Sequence, residues 1–469
     1  MNNNSVICLK LPIVRMIFAF IPSKLRLKIA KKSKNLQNKL NMTLGEYKIF
    51  KEYSSKHIDI LNSEKLSLFY ESMIYKTKLT MDEIEFAICY CLLDSLKENE
   101  MEIDLSYEEL FNVYYKMKKE FNIKLNVIVN EKIIKNDNFS NKNVRLFMKN
   151  KMNNCINGIN FNQLSSNSIS NIINRQYDLL ELFEQCDKVS FSKIKFKTTD
   201  MILLQMFNEK YEIEKINFYS VNLSLNCYQV IPKYCSLNLI QLEISYSRLT
   251  DNQIEIMLKS SDKLQNVKIL NLEGNKITNV GIVMLSTSII AMGIKKLNVS
   301  YNYLTGDSVN CILNSAWKLE ELNISNNKIG NDFIDLFQWD NNELKKLNIS
   351  NINNNISSPI LFPSNALKLL THLKFSHNQI TSELLCFFFS ISSIISLDLV
   401  NCSLTSSLLN FNFKTNVQYL NIKQNPIDIS FLKTFLLNPS LFPHLYQVDV
   451  HNTKINSLES IDTNITISY

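Results

Sequence analysis

A chain of 469 residues with 51 Lys and Arg against 44 Asp and Glu has a formal charge of +7, mild for its size, and 45% of it is hydrophobic. That balance suits a well-buried chain of more than one domain and excludes the dense basic clustering of a nucleic-acid binder. Seven glycines leave little material for phosphate-cradling loops, and no GxxxxGK[ST], GxSxG, GxGxxG or HExxH motif occurs.

The chain opens with MNNNSVICLKLPIVRMIFAFIPSK. Arg15 splits its apolar stretch and no small-residue cleavage site comes after it, so a secretory signal is not expected and the compartment is read as cytoplasmic or nuclear. The ten cysteines are scattered, with one CxC at Cys89 and Cys91. No paired CxxC or Cys/His cluster marks a metal site, and no cofactor is implied. The stretch from Leu11, LPIVRMIFAFIPSKLRLKIAKKSKNL, resembles an F-box, so residues 1–42 form an F-box-like segment. Leu11-Pro12, Ile17-Phe18 and Ile21-Pro22 carry the likeness, and Leu36 stands where the family commonly has an aromatic. The resemblance implies that Leu11, Pro12, Ile17 and Ile21 dock a ubiquitin-ligase adaptor. From the residues alone, the stretch reads first as an ordinary helical hairpin that caps or flanks the solenoid downstream. Its basic run KLRLKIAKKSK also suits a membrane surface.

Residues 43–185 carry helix signals and almost no strand signals. Thr43 with Glu46, Thr80 with Glu83 and Ser106 with Glu109 each form a capping-box pattern ahead of an apolar face. Residues 136–163 are polar and Asn-rich and read as a connector. Residues 173–186 are the candidate cap for the open end of a repeat array.

From there an eleven-residue phrase recurs, LxxLxLxxNxL with aliphatic variants. It starts at Ile213, Leu239, Val267, Ile294, Leu319, Leu344, Leu370, Ile394, Val417 and Leu445, with a further, irregular copy at Cys186. Spacing, aliphatic positions and Asn recur together, so residues 186–469 resemble a leucine-rich-repeat solenoid of about ten to eleven repeats. Positions 4 and 6 alternate with 3, 5 and 7, which is strand periodicity. One such strand cannot bury its apolar face alone, but stacked in parallel the strands share a core. Position 9 is Asn at Asn275, Asn302, Asn327, Asn378 and Asn425, where an amide can serve the turn's backbone. Val221 and Ile352 occupy that site in the first and sixth copies and predict irregular turns. The return segments predict short helices, carried by Val280, Val283 and Met284 after the third copy and by Val309, Ile312, Leu313 and Trp317 after the fourth. After Ile394 the short step predicts a turn or 3₁₀ piece. The apolar run at 384–399 reads as core and not as a membrane span.

The expected fold is therefore α/β, a solenoid with a parallel sheet on its concave face, preceded by a helical region. In the centre, Lys295-Lys296, Glu320-Glu321 and Lys345-Lys346 would form a ladder in which an acidic pair lies between two basic pairs. By the residue preferences of binding hot spots, His372, Lys374, His377, Tyr419, Lys423, Tyr446 and His451 form the richest candidate surface, with Tyr219 and Tyr246 a smaller set at the other end. No nucleophile stands near a base at a recognisable spacing. A protein-binding scaffold with a protein partner on its concave face is expected, not an enzyme, with an F-box-type substrate receptor as the alternative.

Overall fold

The computed structural model describes residues 101–104, 125–129, 156–174 and, from 186 onward, all except 316, 340–342, 356–366, 406–414, 432–437, 439, 456–464 and 469. Leu11, Pro12, Ile17 and Ile21, the three capping boxes and most of the expected solenoid cap lie outside the described residues. The chain divides into two compact units, one built mainly from 1–128 and 136–157, the other mainly from 158–181 and 185–469.

In the first unit, β1 (Met101–Asp104) and β2 (Leu125–Val129) pair in parallel, with Met101 beside Leu125. These strands correct the expectation of a purely helical 43–185 region. The segment LNVIV carries two Val and one Ile, whose branched side chains favour extended backbone. The connector expected at 136–163 is corrected at its end as well, where β3 (Ile156–Asn162) forms. Its Asn160 and Asn162 disguise the strand as a loop, but they alternate with fully buried Ile159 and Phe161.

The second unit is a leucine-rich solenoid. After β3 come β4 (Lys188–Ser192), β6 (Lys215–Tyr219), β8 (Gln241–Ser245), β9 (Ile269–Asn271), β10 (Lys296–Asn298), β11 (Glu321–Asn323) and β12 (Lys346–Asn348). Then come β13 (His372–Lys374), β14 (Ser396–Asp398), β15 (Tyr419–Asn421), β16 (Gln447–Asp449) and β17 (Thr466–Ser468). Each pairs in parallel with the next. A small second sheet joins β5 (Lys195–Phe196) to β7 (Asn222–Leu223). Position 4 makes one unbroken row, Ile159, Val189, Ile216, Leu242, Leu270, Leu297, Leu322, Leu347, Leu373, Leu397, Leu420, Val448 and Ile467. The copy at Cys186 is thus a full member, and the sheet gains a coil ahead of it, at β3, and another beyond the tenth copy, at β17.

Each strand ends on the same backbone device. Phrase position 8 is left-handed in every described copy, from Gln163 (φ 51°) through Ser220, Asn326, Asn351 and His377 to Asn452 (φ 57°). Position 9 then secures the turn. Oδ1 of Asn327 accepts from the backbone N–H of Asn302 and Leu304, and its Nδ2 donates to the carbonyls of Val299, Ile324 and Ser325, all within 3.1 Å. Asn275 and Asn425 make the same two-coil clamp, and Asn302 and Asn378 make most of it. Ser247 substitutes by accepting from Val221 N–H and donating to the Ser245 carbonyl. The turns at Val221 and Ile352 keep the left-handed residue ahead of them, so the irregularity expected there is confined. After Ser247, Ile352 and Cys402 comes a second left-handed residue, at Arg248, Asn353 and Ser403. None of the Asn-bearing copies needs one at that position.

The returns carry α1 (Ser166–Asn174), α2 (Ile202–Tyr211), α3 (Leu225–Tyr234), α4 (Asp251–Leu258), α5 (Asn279–Ser286), α6 (Asp307–Leu313), α7 (Ser382–Ser390) and a short α8 (Ile429–Phe431), with a 3₁₀ segment at Gly330–Gln338. In α5 the buried residues are Gly281, Ile282 and Leu285, whereas Val280 and Val283 are 54% and 43% exposed. The sequence therefore pointed to the outer face of that helix, because a segment apolar all round has no contrast to orient it. The run 384–399 splits into α7 and β14, and among the described residues no helix is long and apolar enough to cross a membrane. The return after the eighth copy lies outside the described residues.

At the first coils the core is aromatic. The rings of Phe161, Phe191 and Phe218, all at position 6, stack at 5.4 and 5.3 Å between centroids. Further along the solenoid Phe375 meets Phe333 and Phe388 edge-on or tilted. Leu322 is 2% exposed between Leu297 and Leu347. Leu322→Ala is expected to cost about 2–5 kcal/mol of stability, and Asn327→Ala about 1–3 kcal/mol through unpaired turn groups. Chemical denaturation of both variants beside the parent checks the pair.

Candidate functional site

Positions 3, 5 and 7 of neighbouring strands put three rows of side chains on the outward face of the sheet. A depression of about 530 Å³ runs along it, bordered by Glu243, Asn271, Asn298, Asn323, Lys346 and His372 among others. The parallel register fixes which side chains meet. Lys296, Glu321 and Lys346 stand abreast, and Glu321 Oε1 lies 2.9 Å from one ammonium and 3.1 Å from the other. One row further out Lys345 pairs with Glu320 at 2.9 Å, and Lys295 pairs with Glu343. Burial would raise the Glu321 carboxyl, but the hydrogen bonds from Lys296 and Lys346 together outweigh it and hold it below the usual range. Every acid at the centre of the face is therefore matched within the sheet, by four lysines against three glutamates.

The asparagines at position 5 also look inward to their own strand. Oδ1 of Asn298 and of Asn323 each accept both the N–H and the hydroxyl of the serine two residues on, Ser300 and Ser325. Such short-range bonds fix the amides and leave their neighbours buried.

Of the residues singled out from the sequence, His372 and Lys374 sit in β13 at the end of the depression, both exposed. Burial, reinforced by Lys346, holds the His372 imidazole below its usual range, and Lys374 stands two residues on in the same strand. The rings of Tyr419 and Tyr446 meet edge-on at 5.9 Å, and they are 43% and 57% exposed. Lys423 and His451 converge instead on Asp449, at 2.8 and 2.6 Å. Burial would raise the Asp449 carboxyl, but bonds from Lys423 and His451 hold it low. These two side chains are thereby tied to a neighbour on the sheet. His377 stands apart, at the left-handed position, with Nδ1 3.2 Å from Asn401 Nδ2. Asn275, Asn302, Asn327, Asn378 and Asn425 all lie buried in the turns.

At the opposite end the structure assembles more than the sequence indicated. The ring of Tyr246 meets Tyr219 at 5.7 Å and Tyr301 at 6.5 Å. Tyr301, which the sequence reading did not single out, thus joins Tyr219 and Tyr246. Tyr246 Oη donates to Glu273 Oε1 at 2.7 Å, a bond that pushes the phenol up to about 12. The buried thiols of Cys186, Cys235 and Cys402 are pushed to about 12 by burial and stay protonated, packing as small apolar groups. Among the described residues no group of three or more His, Cys, Asp or Glu is placed to hold a metal.

No protein-family model and no curated protein matches this chain. Among solved structures, the crystal structure of the Rad7 and Elc1 complex in yeast is similar to it at 12% identity and a TM-score of 0.40, over 91% of this chain and 98% of that one. The functional reading accordingly rests on the geometry of the sheet face.

Reversing the central charge tests that geometry. Glu321→Lys sets three cations abreast, and the melting temperature should fall modestly and recover at high salt. The depressed carboxyls of Glu321 and Asp449 stabilise the fold fully above the ordinary carboxylate range, and that contribution is lost as pH falls through their lowered values. In an acid titration, Glu321→Gln should flatten part of the parent's loss of stability.

Proposed function

We propose that this chain is a non-enzymatic protein-binding scaffold that holds a polypeptide partner on the outward face of its solenoid sheet. One observation carries the reading: a pre-formed, depressed face whose central acids are taken up by its own lysines and whose two ends present exposed aromatics. A rigid sheet offers contact area without the ordering cost of a flexible loop. Tyrosines at the ends supply the large, low-entropy contacts that dominate protein interfaces. On this reading the C-terminal contact set is His372, Lys374, Tyr419 and Tyr446, with His377, Lys423 and His451 at its margin.

A second reading makes the chain an F-box-type substrate receptor of a ubiquitin ligase. It is supported by the sequence likeness at Leu11, Pro12, Ile17 and Ile21 together with the repeats downstream of them. Leu11→Ala combined with Pro12→Ala should then abolish capture of a ligase adaptor by the full chain without lowering the melting temperature.

The scaffold reading is tested by quantitative pull-down with the full chain. Replacing Lys374 by Glu together with Tyr419 and Tyr446 by Ala should reduce retention of specific partners about tenfold. Val283→Lys, in α5, should leave it unchanged. Equal retention by all variants would remove this face from the binding reaction.

A further inference from the structure

The N-terminal end of the same face has a chemistry of its own. Tyr219 ends β6 at position 7, and Tyr246 and Tyr301 hold position 8 in the second and fourth copies, with Tyr303 two residues on. All four are exposed, at 42%, 42%, 52% and 58%. The three rings in contact form a continuous strip across four coils because the intervening position 8 is Gly274. A Cβ there would collide with Tyr246 Cδ1, so only glycine lets the ring lie across its coil.

Stability does not explain these tyrosines. Position 8 must adopt positive φ, and Tyr246 and Tyr301 do so at 52° and 53°, where a bulky side chain is strained and Asn or Gly is easily accommodated. Four other copies use Asn there, namely Asn326, Asn351, Asn401 and Asn452. An exposed ring in a strained position contributes little to the core beneath it.

Two carboxylates lie on the same face, Glu273 just beyond β9, which bonds Tyr246, and Glu243 in β8, three residues before Tyr246. Glu273 accepts from Tyr246 Oη at 2.7 Å and Asn298 Nδ2 at 3.1 Å. Glu243 accepts from Gln241 Nε2, and Asn271 Nδ2 lies 3.5 Å away. All these donors are neutral, and among the described residues neither carboxylate forms a salt bridge. The acids of the central ladder, in contrast, are each paired with a lysine. Arg248 and Lys276 stand at position 10, past the turn, and neither reaches Glu243 or Glu273.

Building on the scaffold reading, we infer that the Tyr219–Tyr246–Tyr301 strip, flanked by Glu243 and Glu273, docks a basic segment of the protein partner through an arginine side chain. A guanidinium is the cation that satisfies both halves of the site. Its plane stacks on tyrosine faces, and its edge offers several N–H donors to a carboxylate that has only neutral ones. The central acids, each already paired with lysine, supply no competing attraction for it. An acidic segment would meet two unpaired carboxylates at this end and is disfavoured.

The test uses the full chain against an array of synthetic peptides of equal length in which one central residue is Arg, Lys, Glu or Gln among neutral neighbours. Arginine peptides should be retained best, and their binding should weaken with added salt. Tyr246→Ala and the near-isosteric Glu273→Gln should each lower that retention by about fivefold, with circular dichroism and melting unchanged for Glu273→Gln. Glu321→Gln, in the central ladder, should leave it as it is. Preference for Glu peptides, or arginine binding indifferent to both substitutions, would overturn the inference. So would failure of the array to retain any peptide. Where peptides bind but respond to Lys374, Tyr419 and Tyr446 alone, the scaffold reading stands and this assignment of the N-terminal end falls. Response at neither end removes both.

Discussion

Every coil of the solenoid depends on how the chain leaves its strand. Just past the last outward row, the backbone passes through a left-handed conformation, and the next residue must satisfy N–H and C=O groups that have turned away from the ladder. An Asn side chain answers for two coils at once, since its oxygen receives N–H groups of the preceding turn while its nitrogen bonds carbonyls of both. Buried backbone groups left unpaired would cost about 1–3 kcal/mol each. Where it is present, the amide clamp ties each turn to the one before it and reinforces the parallel register of the strands.

That register has consequences on both faces. Inward, it stacks like residues, so leucines fill the middle coils and phenylalanine rings the first ones. Outward, it makes lateral neighbours of residues some twenty-five positions apart in sequence, as Lys296, Glu321 and Lys346 are. The charged centre is consumed by these pairs, each contributing about 0.2–1 kcal/mol at partly exposed positions. What remains available to a partner lies toward the ends. There the aromatics are exposed, and at the N-terminal end Glu243 and Glu273 form no salt bridge among the described residues.

Where a copy lacks Asn, the fold adapts locally. Ser247 carries part of the clamp, and Cys402 offers only long sulfur contacts to the carbonyls of Phe375 and Val400. At Ile352 no side-chain polar group is present at all. In all three cases the backbone takes a second left-handed residue. Ile352 is followed by Asn353 in that conformation, and Asn354, at the next position, bonds both backbone groups of Gln379. The array tolerates such a coil because its neighbours on either side hold the strand.

The sequence alone determined the repeat, the inward row at positions 4 and 6, the clamp asparagines and the lateral order of the central charges. All of these come from local periodicity, and a parallel stack converts periodicity directly into adjacency. It did not reveal β3, whose asparagines carry a loop-like composition over an alternating core pattern. Nor did it orient α5, where every face is apolar. The pairing of Lys423 and His451 with Asp449 was decided by tertiary structure alone. So was the extension of the Tyr219 and Tyr246 set to Tyr301, because it requires the left-handed φ of position 8 and the missing Cβ of Gly274 in the coil between. Those are properties of how coils are laid against one another, and no single phrase contains them.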